Sequence, residues 1–182
     1  KLLSEKGARI RGWTPDGRYL LIWRTSRPDT IAVVDIQTGA ITPILQHATL
    51  PLNQPRLSPD GKWLAFLAGP SLCVAPFQGS RPVAEADWVR LAGSASFPFW
   101  SPNGRNIYFA VASDGRTNAV LMRLRFDPAA RKPVGQALPF QSLEGLTLGV
   151  PSVNQVIGGR GCLILGFVDT SSDVWALDSL RP

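Results

Sequence analysis

Thr14-Pro15-Asp16-Gly17-Arg18, Ser58-Pro59-Asp60-Gly61-Lys62 and Ser101-Pro102-Asn103-Gly104-Arg105 are three copies of one pattern, and each precedes an apolar, β-prone run. The glycines of successive copies are 44 and 43 positions apart. In a tight turn, Ser or Thr bonds the backbone ahead of it, Pro fixes φ at about −65°, and Gly supplies a positive φ. The pattern therefore predicts a turn that leads into a buried strand, repeated at a nearly constant interval.

Each repeat contains four short β-prone segments. We expect a first strand before the turn and a second directly after it, the first strands being at 10–13, 54–57 and 97–100. The third strands of the three copies are expected at 31–35, 72–75 and 120–126. The fourth strands are expected at 40–45, 82–84 and 137–141. A Pro/Ala/Gly-rich insertion at 127–139 lengthens the third copy. Four strands in roughly 40–45 residues make one β-propeller blade, and the repeated turn favours this over a β-sandwich.

The predicted fold class is all-β: a β-propeller of about four four-stranded antiparallel blades in one domain over 1–182. The approximate blades are 7–52, 53–96, 97–148 and 149–182. The fourth blade has an eroded turn at Gly159-Arg160-Gly161-Cys162, with its first strand expected at 149–152 and its third at 173–178. Residues 1–6 resemble an outer strand that would close the last blade, since closure removes exposed sheet edges.

Three arrangements of these blades remain open: a small closed ring, the C-terminal part of a larger propeller, or a half-ring completed by a second copy. The chain begins at Lys1 without an initiator Met, which favours a segment of a longer protein. In the third arrangement, a homodimer forms through open blade edges.

The repeated turn with its following strand resembles the repeat of the TolB-like, or WD40-like PD40, β-propellers. Trp13 and Trp100 precede the turn as in that repeat, and Leu57 takes this position in the second copy. The resemblance covers nearly the whole chain. Because the motif builds blades and carries no chemistry, it implies a fold more strongly than a function.

From the resemblance we expect a non-catalytic binding or scaffold module for a protein or peptide partner. It implies a bacterial, periplasmic or other extracytoplasmic setting, or the C-terminal sensor part of a larger bacterial protein. The alternative is the substrate-gating propeller of a prolyl-oligopeptidase-type serine peptidase, whose catalytic domain would lie outside this sequence.

The residue inventory argues against catalysis. The 182 residues include one histidine and two cysteines, too few for a typical closed zinc site of four N/S ligands. We find no nucleophile elbow and no convincing pair of acidic residues, and so expect neither enzyme activity nor a cofactor or metal. His47 is interpreted as an exposed loop residue with no nearby acid, and Cys73 and Cys162 as reduced strand residues.

The net charge of +6 is concentrated near the N-terminus, where residues 1–27 carry seven basic and two acidic side chains. Because these basic residues are scattered singly through predicted strands, we expect no nucleic-acid binding. No apolar run reaches the ~18 residues of a membrane-spanning helix, so we expect no membrane insertion. The candidate partner-binding residues are Arg9, Arg11, Arg56 and Trp88, the last because tryptophan is enriched at interfaces.

Overall fold

The computed structural model describes residues 7–24, 26–112, 119–143, 156–159, 162–165 and 176–177. Three four-stranded antiparallel sheets follow one another along the chain, each with its strands in sequence order. We call these sheets blades 1, 2 and 3. Blade 1 contains β1 (Ala8–Trp13), β2 (Tyr19–Arg24), β3 (Thr30–Asp35) and β4 (Ile41–Gln46).

The next two blades repeat this order. Blade 2 contains β5 (Leu52–Leu57), β6 (Trp63–Ala68), β7 (Ser71–Pro76) and β8 (Val89–Ala92). Blade 3 contains β9 (Ala95–Trp100), β10 (Asn106–Ala112), β11 (Ala119–Asp127) and β12 (Lys132–Leu143). A fourth sheet contains β13 (Val156–Gly159), β14 (Cys162–Leu165) and β15 (Ala176–Leu177). The predicted all-β, propeller-type fold is confirmed.

In the fourth sheet, β13 pairs antiparallel with β14, and Gly159 lies opposite Cys162. Residues 160 and 161 of the eroded turn lie outside the described residues. β15 pairs with β14 as the third strand of this sheet and lies inside the predicted range 173–178. The predicted strands at 1–6 and 149–152 lie outside the described residues.

The repeated turns have the predicted hydrogen bonds. In the second copy, the Ser58 hydroxyl donates to Asp60 Oδ1 at 2.6 Å and accepts from the Trp63 amide at 2.9 Å. The Lys62 amide donates to the same Asp60 oxygen at 3.1 Å. The first and third copies repeat this network with Thr14 and Asp16, and with Ser101 and Asn103. The buried hydroxyl at the start of each turn is therefore satisfied, as burial requires.

Successive turns also contact one another. Gly61 has a φ of +68°, and a Cβ placed on it would lie 2.7 Å from Pro15 Cδ of the preceding turn. At Gly104 the corresponding distance, to Pro59 Cδ, is 3.7 Å. The proline of one turn thus packs over the glycine of the next.

The second strand of blade 2, β6, is buried on both faces between its two neighbouring blades. Leu64 and Phe66 of β6 pack with blade 1, while Trp63 and Ala65 pack with blade 3. Phe66 is fully buried, which is worth about 2–3 kcal/mol relative to an exposed side chain. Alternation along β6 therefore holds three blades together.

The equivalent tryptophans before the turns differ in environment. Trp100 of β9 is 9% exposed, and its indole Nε1 donates to the Arg56 carbonyl of blade 2 at 3.1 Å. Trp13, at the same position of blade 1, is 60% exposed. Packing between blades therefore buries Trp100 and leaves Trp13 exposed.

The fourth strand of blade 2 was predicted in the wrong place. Residues 82–84 are not part of a strand, and the Val83 amide donates to the Ile44 carbonyl of blade 1 at 2.8 Å. A 3-10 helix at Glu85–Asp87 follows, and only then does β8 pair with β7. The chain therefore bonds to blade 1 before it returns to its own sheet.

The predicted insertion at 127–139 is mostly strand. β12 begins at Lys132, after a turn at 128–131, and includes Pro133 and Gly135. As an edge strand it tolerates a proline, and Gly135, with a φ of +74°, lies where the pairing register with β11 shifts. Strand pairing therefore overrides a composition that is typical of loops.

Candidate binding surface on the inner strands

The first strands of the three blades are neighbours. β1 contacts β5, and β5 contacts β9, whereas the later strands of each blade extend away from this row. We call β1, β5 and β9 the inner strands, because the first strand of a propeller blade lies closest to the ring axis. Side chains on these strands are therefore presented along one continuous surface.

Each inner strand is irregular at the same level. Register shifts interrupt its pairing with the second strand of its own blade in all three cases. Gln54 and Phe97, at equivalent positions of β5 and β9, have φ values of +51° and +53°. The Phe97 amide donates to Gln54 Oε1 at 2.6 Å, which joins blades 2 and 3. Positive φ in residues other than glycine is strained, and such strain is concentrated at functional sites in proteins.

Sequence reasoning missed these two positions, because neither is a glycine. The only signal available was their placement, three residues before the position of Leu57 and Trp100 in the repeat.

The three predicted arginines are brought together on the inner strands. Arg9 and Arg11 of β1 both lie over the Trp23 ring, at 5.9 and 5.4 Å from its centroid. Arg56 of β5 is half-buried, and its Nη1 donates to the Arg11 carbonyl at 3.3 Å. We call Arg9, Arg11 and Arg56 the arginine cluster. Stacking on the indole holds the guanidinium groups of β1 against the protein while leaving their charge in place.

Burial and the positive charge of a neighbouring arginine both lower pKa values in this cluster. Burial, and then the charge of Arg11, lowers the pKa of Arg56 to about 10. Burial, and then the charge of Arg9, lowers the pKa of Arg11. Arg56 nevertheless stays protonated at pH 7, so the surface is cationic, and a bound anion would relieve the mutual repulsion.

Trp88 lies away from the arginine cluster. It follows the 3-10 helix and packs edge-on against Phe66, with ring centroids 4.9 Å apart. Its ring is also 6.2 Å from that of His47. Trp88 is half-buried, so the interpretation of an exposed interface anchor is not supported by its position.

The interpretation of His47 was wrong in two respects. Its side chain is only 15% exposed, and its Nε2 lies 3.4 Å from Glu85 Oε1. Its Nδ1 accepts hydrogen bonds from the Thr49 and Leu50 amides at 3.0 and 2.9 Å. Glu85 is 38 positions from His47 in the sequence. The two side chains come together because the segment after Pro82 crosses to blade 1, so the local sequence does not indicate the pair. His47 thus caps the backbone of its own loop.

Cys73 is a buried, free thiol on β7, and burial raises its pKa to about 11. It is therefore unreactive at neutral pH, since the thiolate is the nucleophile. No group of three or more His, Cys, Asp or Glu side chains suited to a metal ion occurs among the described residues. The described part of the chain also has no helix of the length and apolar character needed to cross a membrane.

The four-stranded blades and their repeated turns define the class of fold: an all-β, propeller-type arrangement. No family model matches the chain, and no curated protein sequence matches it. Among solved structures, a protein assigned as TolB from Agrobacterium tumefaciens is similar with a TM-score of 0.62 and 21% identity, covering 79% of this chain and 52% of that one. TolB from Acinetobacter baumannii is similar with a TM-score of 0.60 and 19% identity, covering 98% of this chain and 45% of that one.

A protein assigned as a 6-phosphogluconolactonase from Bacteroides uniformis is also similar, with a TM-score of 0.54 and 11% identity, covering 95% of this chain and 54% of that one. The chain therefore spans about half the length of the TolB structures that it matches. At these identities the likeness shows the shared fold.

Proposed function

We propose that the chain is a non-catalytic binding module that receives a protein or peptide partner on its inner strands. The observation that carries the proposal is the arginine cluster, in which three cationic side chains from two blades meet on one surface. Guanidinium groups bind carboxylates through paired, charge-assisted hydrogen bonds. The contact segment of the partner is therefore expected to carry acidic side chains.

The strained backbone supports the same surface. Gln54 has a positive φ on β5, the strand that carries Arg56, and Phe97 has one on the neighbouring β9. Rigid strands hold these groups in place before a partner arrives, which lowers the entropy lost on binding. The expected setting, taken from the resemblance to TolB-like domains, is part of a larger bacterial protein in an extracytoplasmic compartment.

The test compares partners captured by the tagged chain and by two charge-reversal variants. Arg9 is exposed in the cluster, and Arg81 is an exposed arginine in the loop after β7, at the end of the sheets where the repeated turns lie. Bacterial extracts are passed over wild type, R9E and R81E, and bound proteins are quantified by mass spectrometry after each variant is shown to melt like wild type. We expect proteins that R81E retains and R9E loses. The same retained set on all three baits would refute the proposal.

A further inference from the structure

Blade 1 has an ion pair at the end of its second and third strands. Arg18 Nε lies 3.4 Å from Asp35 Oδ2, next to the place where the Ile36 amide donates to the Arg18 carbonyl at 3.0 Å. Asp35 is paired with Tyr19, the first residue of β2. These backbone contacts define a position that can be identified in every blade.

At this position blade 3 has two arginines. The Phe126 amide donates to the Arg105 carbonyl at 2.9 Å, as that of Ile36 does to Arg18, and Arg125 is paired with Asn106, the first residue of β10. Arg105 therefore corresponds to Arg18, and Arg125 corresponds to Asp35. The carboxylate of the blade 1 pair is replaced by a second guanidinium, and both side chains are exposed. Blade 2 has Lys62 and Pro76 at the same two places.

The nearby carboxylates are occupied by backbone groups. Asp127 Oδ1 accepts from the Ala129 and Ala130 amides at 2.9 and 3.1 Å. Asp60 Oδ1 accepts from Ser58 and Lys62 within its own turn. Among the described residues, neither Arg105 nor Arg125 is within ion-pair distance of a carboxylate. Blade 3 thus has two positive charges at the position where blade 1 pairs an arginine with a carboxylate.

A groove of about 720 Å³ runs beside these arginines, between the turns of blades 2 and 3. Arg105 and Arg125 line it together with Asp60, Asp127 and apolar groups of both blades. The apolar residues are Pro59, Trp63, Pro102, Phe126, Pro128 and Val134. Val134 on the edge strand is 42% exposed, whereas Trp63 and Phe126 are buried beneath the groove. Because Asp60 and Asp127 already accept hydrogen bonds within their own turns, the groove offers two guanidinium groups beside apolar surface, as suits a peptide with neighbouring acidic and apolar side chains.

We propose that this groove is a second binding site, separate from the inner strands, which takes a carboxylate of an acidic peptide segment. The carboxylate occupies the place that Asp35 has in blade 1, where it pairs with both Arg105 and Arg125. An apolar side chain beside it packs against the prolines and Val134. The assignment rests on the comparison of equivalent positions in two blades and is independent of the function proposed for the arginine cluster.

The probe is a fluorescein-labelled peptide, Phe-Asp-Phe-Asp-Phe with blocked ends, and its control has Asn in place of both Asp residues. Binding to the full chain is measured by fluorescence anisotropy at low and high salt. The variant R125D rebuilds within the chain the ion pair of blade 1, and R125Q removes the charge alone. R27D is the matched control at an exposed arginine away from the groove, and R9E tests the arginine cluster.

We expect R125D to weaken binding of the Asp peptide at least tenfold, R125Q to weaken it less, and R27D to leave it unchanged. The Asn peptide should bind at least tenfold more weakly than the Asp peptide. Equal affinity of wild type and R125D, or of the two peptides, would overturn the groove site. Loss in R9E alone would assign the probe to the arginine cluster and reject the groove. A labelled oligonucleotide that binds more tightly than the peptide, with the same loss in R125D, would show that the site is for phosphate.

Discussion

Glycines 17 and 61 occupy equivalent turn positions, yet the structure gives them different surroundings. Both have positive φ, at +70° and +68°. Among the described residues, no atom lies within 4 Å of a Cβ built on Gly17, whereas Pro15 lies 2.7 Å from one built on Gly61. Backbone strain is therefore common to both sites, and steric overlap is specific to Gly61.

We expect G61A to destabilise the chain more than G17A. A left-handed conformation costs a residue with a side chain about 1–2 kcal/mol, and G17A should lose about that amount. In G61A, displacement of Pro15 adds to this cost, for a total of about 2–3 kcal/mol, and G61V should lose more because it is β-branched. Urea denaturation measures the free energies of unfolding. Equal losses for the two alanine variants would contradict the contact between successive turns.

His47 provides a second prediction about a single side chain. Its Nδ1 satisfies the amides of Thr49 and Leu50, and an Asn oxygen can accept from the same direction in an Asx-turn. Both H47N and H47A remove the ring contact with Trp88, so their difference isolates the hydrogen bonds. We expect H47A to be less stable than H47N by about 1 kcal/mol in thermal unfolding. Identical melting curves would show that the two amides find other acceptors.

At the scale of elements, the join between β5 and β9 depends on Gln54. In Q54A the Phe97 amide loses its acceptor, at a cost of about 1–2 kcal/mol, while the strained φ remains. Q54G loses the same bond but relieves the strain, so its stability should lie above that of Q54A. Hydrogen exchange by NMR should show faster exchange of the Phe97 amide in both variants. Protection equal to wild type would show that Gln54 does not join the blades.

The sequence predicts elements well where one local rule governs them. The three turns follow from residue chemistry, and the second strands follow from runs of apolar residues. It fails where a distant partner decides the outcome. The strand expected at 82–84 is absent, and Val83 bonds to Ile44 of another blade. Pro133 lies in a strand because β12 is at the edge of its own sheet. The first outcome depends on a neighbouring blade and the second on the position of the strand in its sheet.

The candidate site shows the same division. Arg11 and Arg56 lie in the predicted first strands at 10–13 and 54–57, whereas Arg9 joins β1 only because that strand begins at Ala8. Their proximity to Trp23 depends on side-chain packing within blade 1. The left-handed conformation of Gln54 has no local signature, because it follows from the bulge that pairing with β6 imposes.

For the whole molecule, the turn and loop carboxylates predict sensitivity to acid. The Thr14 hydroxyl holds the pKa of Asp16 below its ordinary value, and the Thr38 amide does the same for Asp35. A depressed folded-state pKa contributes stability that is fully present above the ordinary pKa of about 4 and is lost as the pH falls through the folded value. The chain should therefore become less stable below about pH 4.

The third turn shows which substitution of Asp16 would test this prediction. Asn103 forms the same hydrogen bonds as Asp16 without a titrating group. We expect D16N to fold and to show a smaller fall in melting temperature between pH 5 and pH 3 than wild type, and D87N, at an exposed residue of the 3-10 helix, to behave like wild type. A D16N profile identical to that of wild type would show that this turn does not contribute to acid sensitivity.

The proline of one turn and the glycine of the next form a pair that recurs from blade to blade. Each blade contributes its proline to the contact with the next blade and its glycine to the contact with the preceding blade. A duplicated blade therefore brings both partners of the contact with it. Gene duplication can therefore lengthen or shorten a propeller of this kind without inventing a new contact at each junction. Each blade supplies what the contact needs on both of its sides. The number of blades can therefore change during evolution while the turn stays the same.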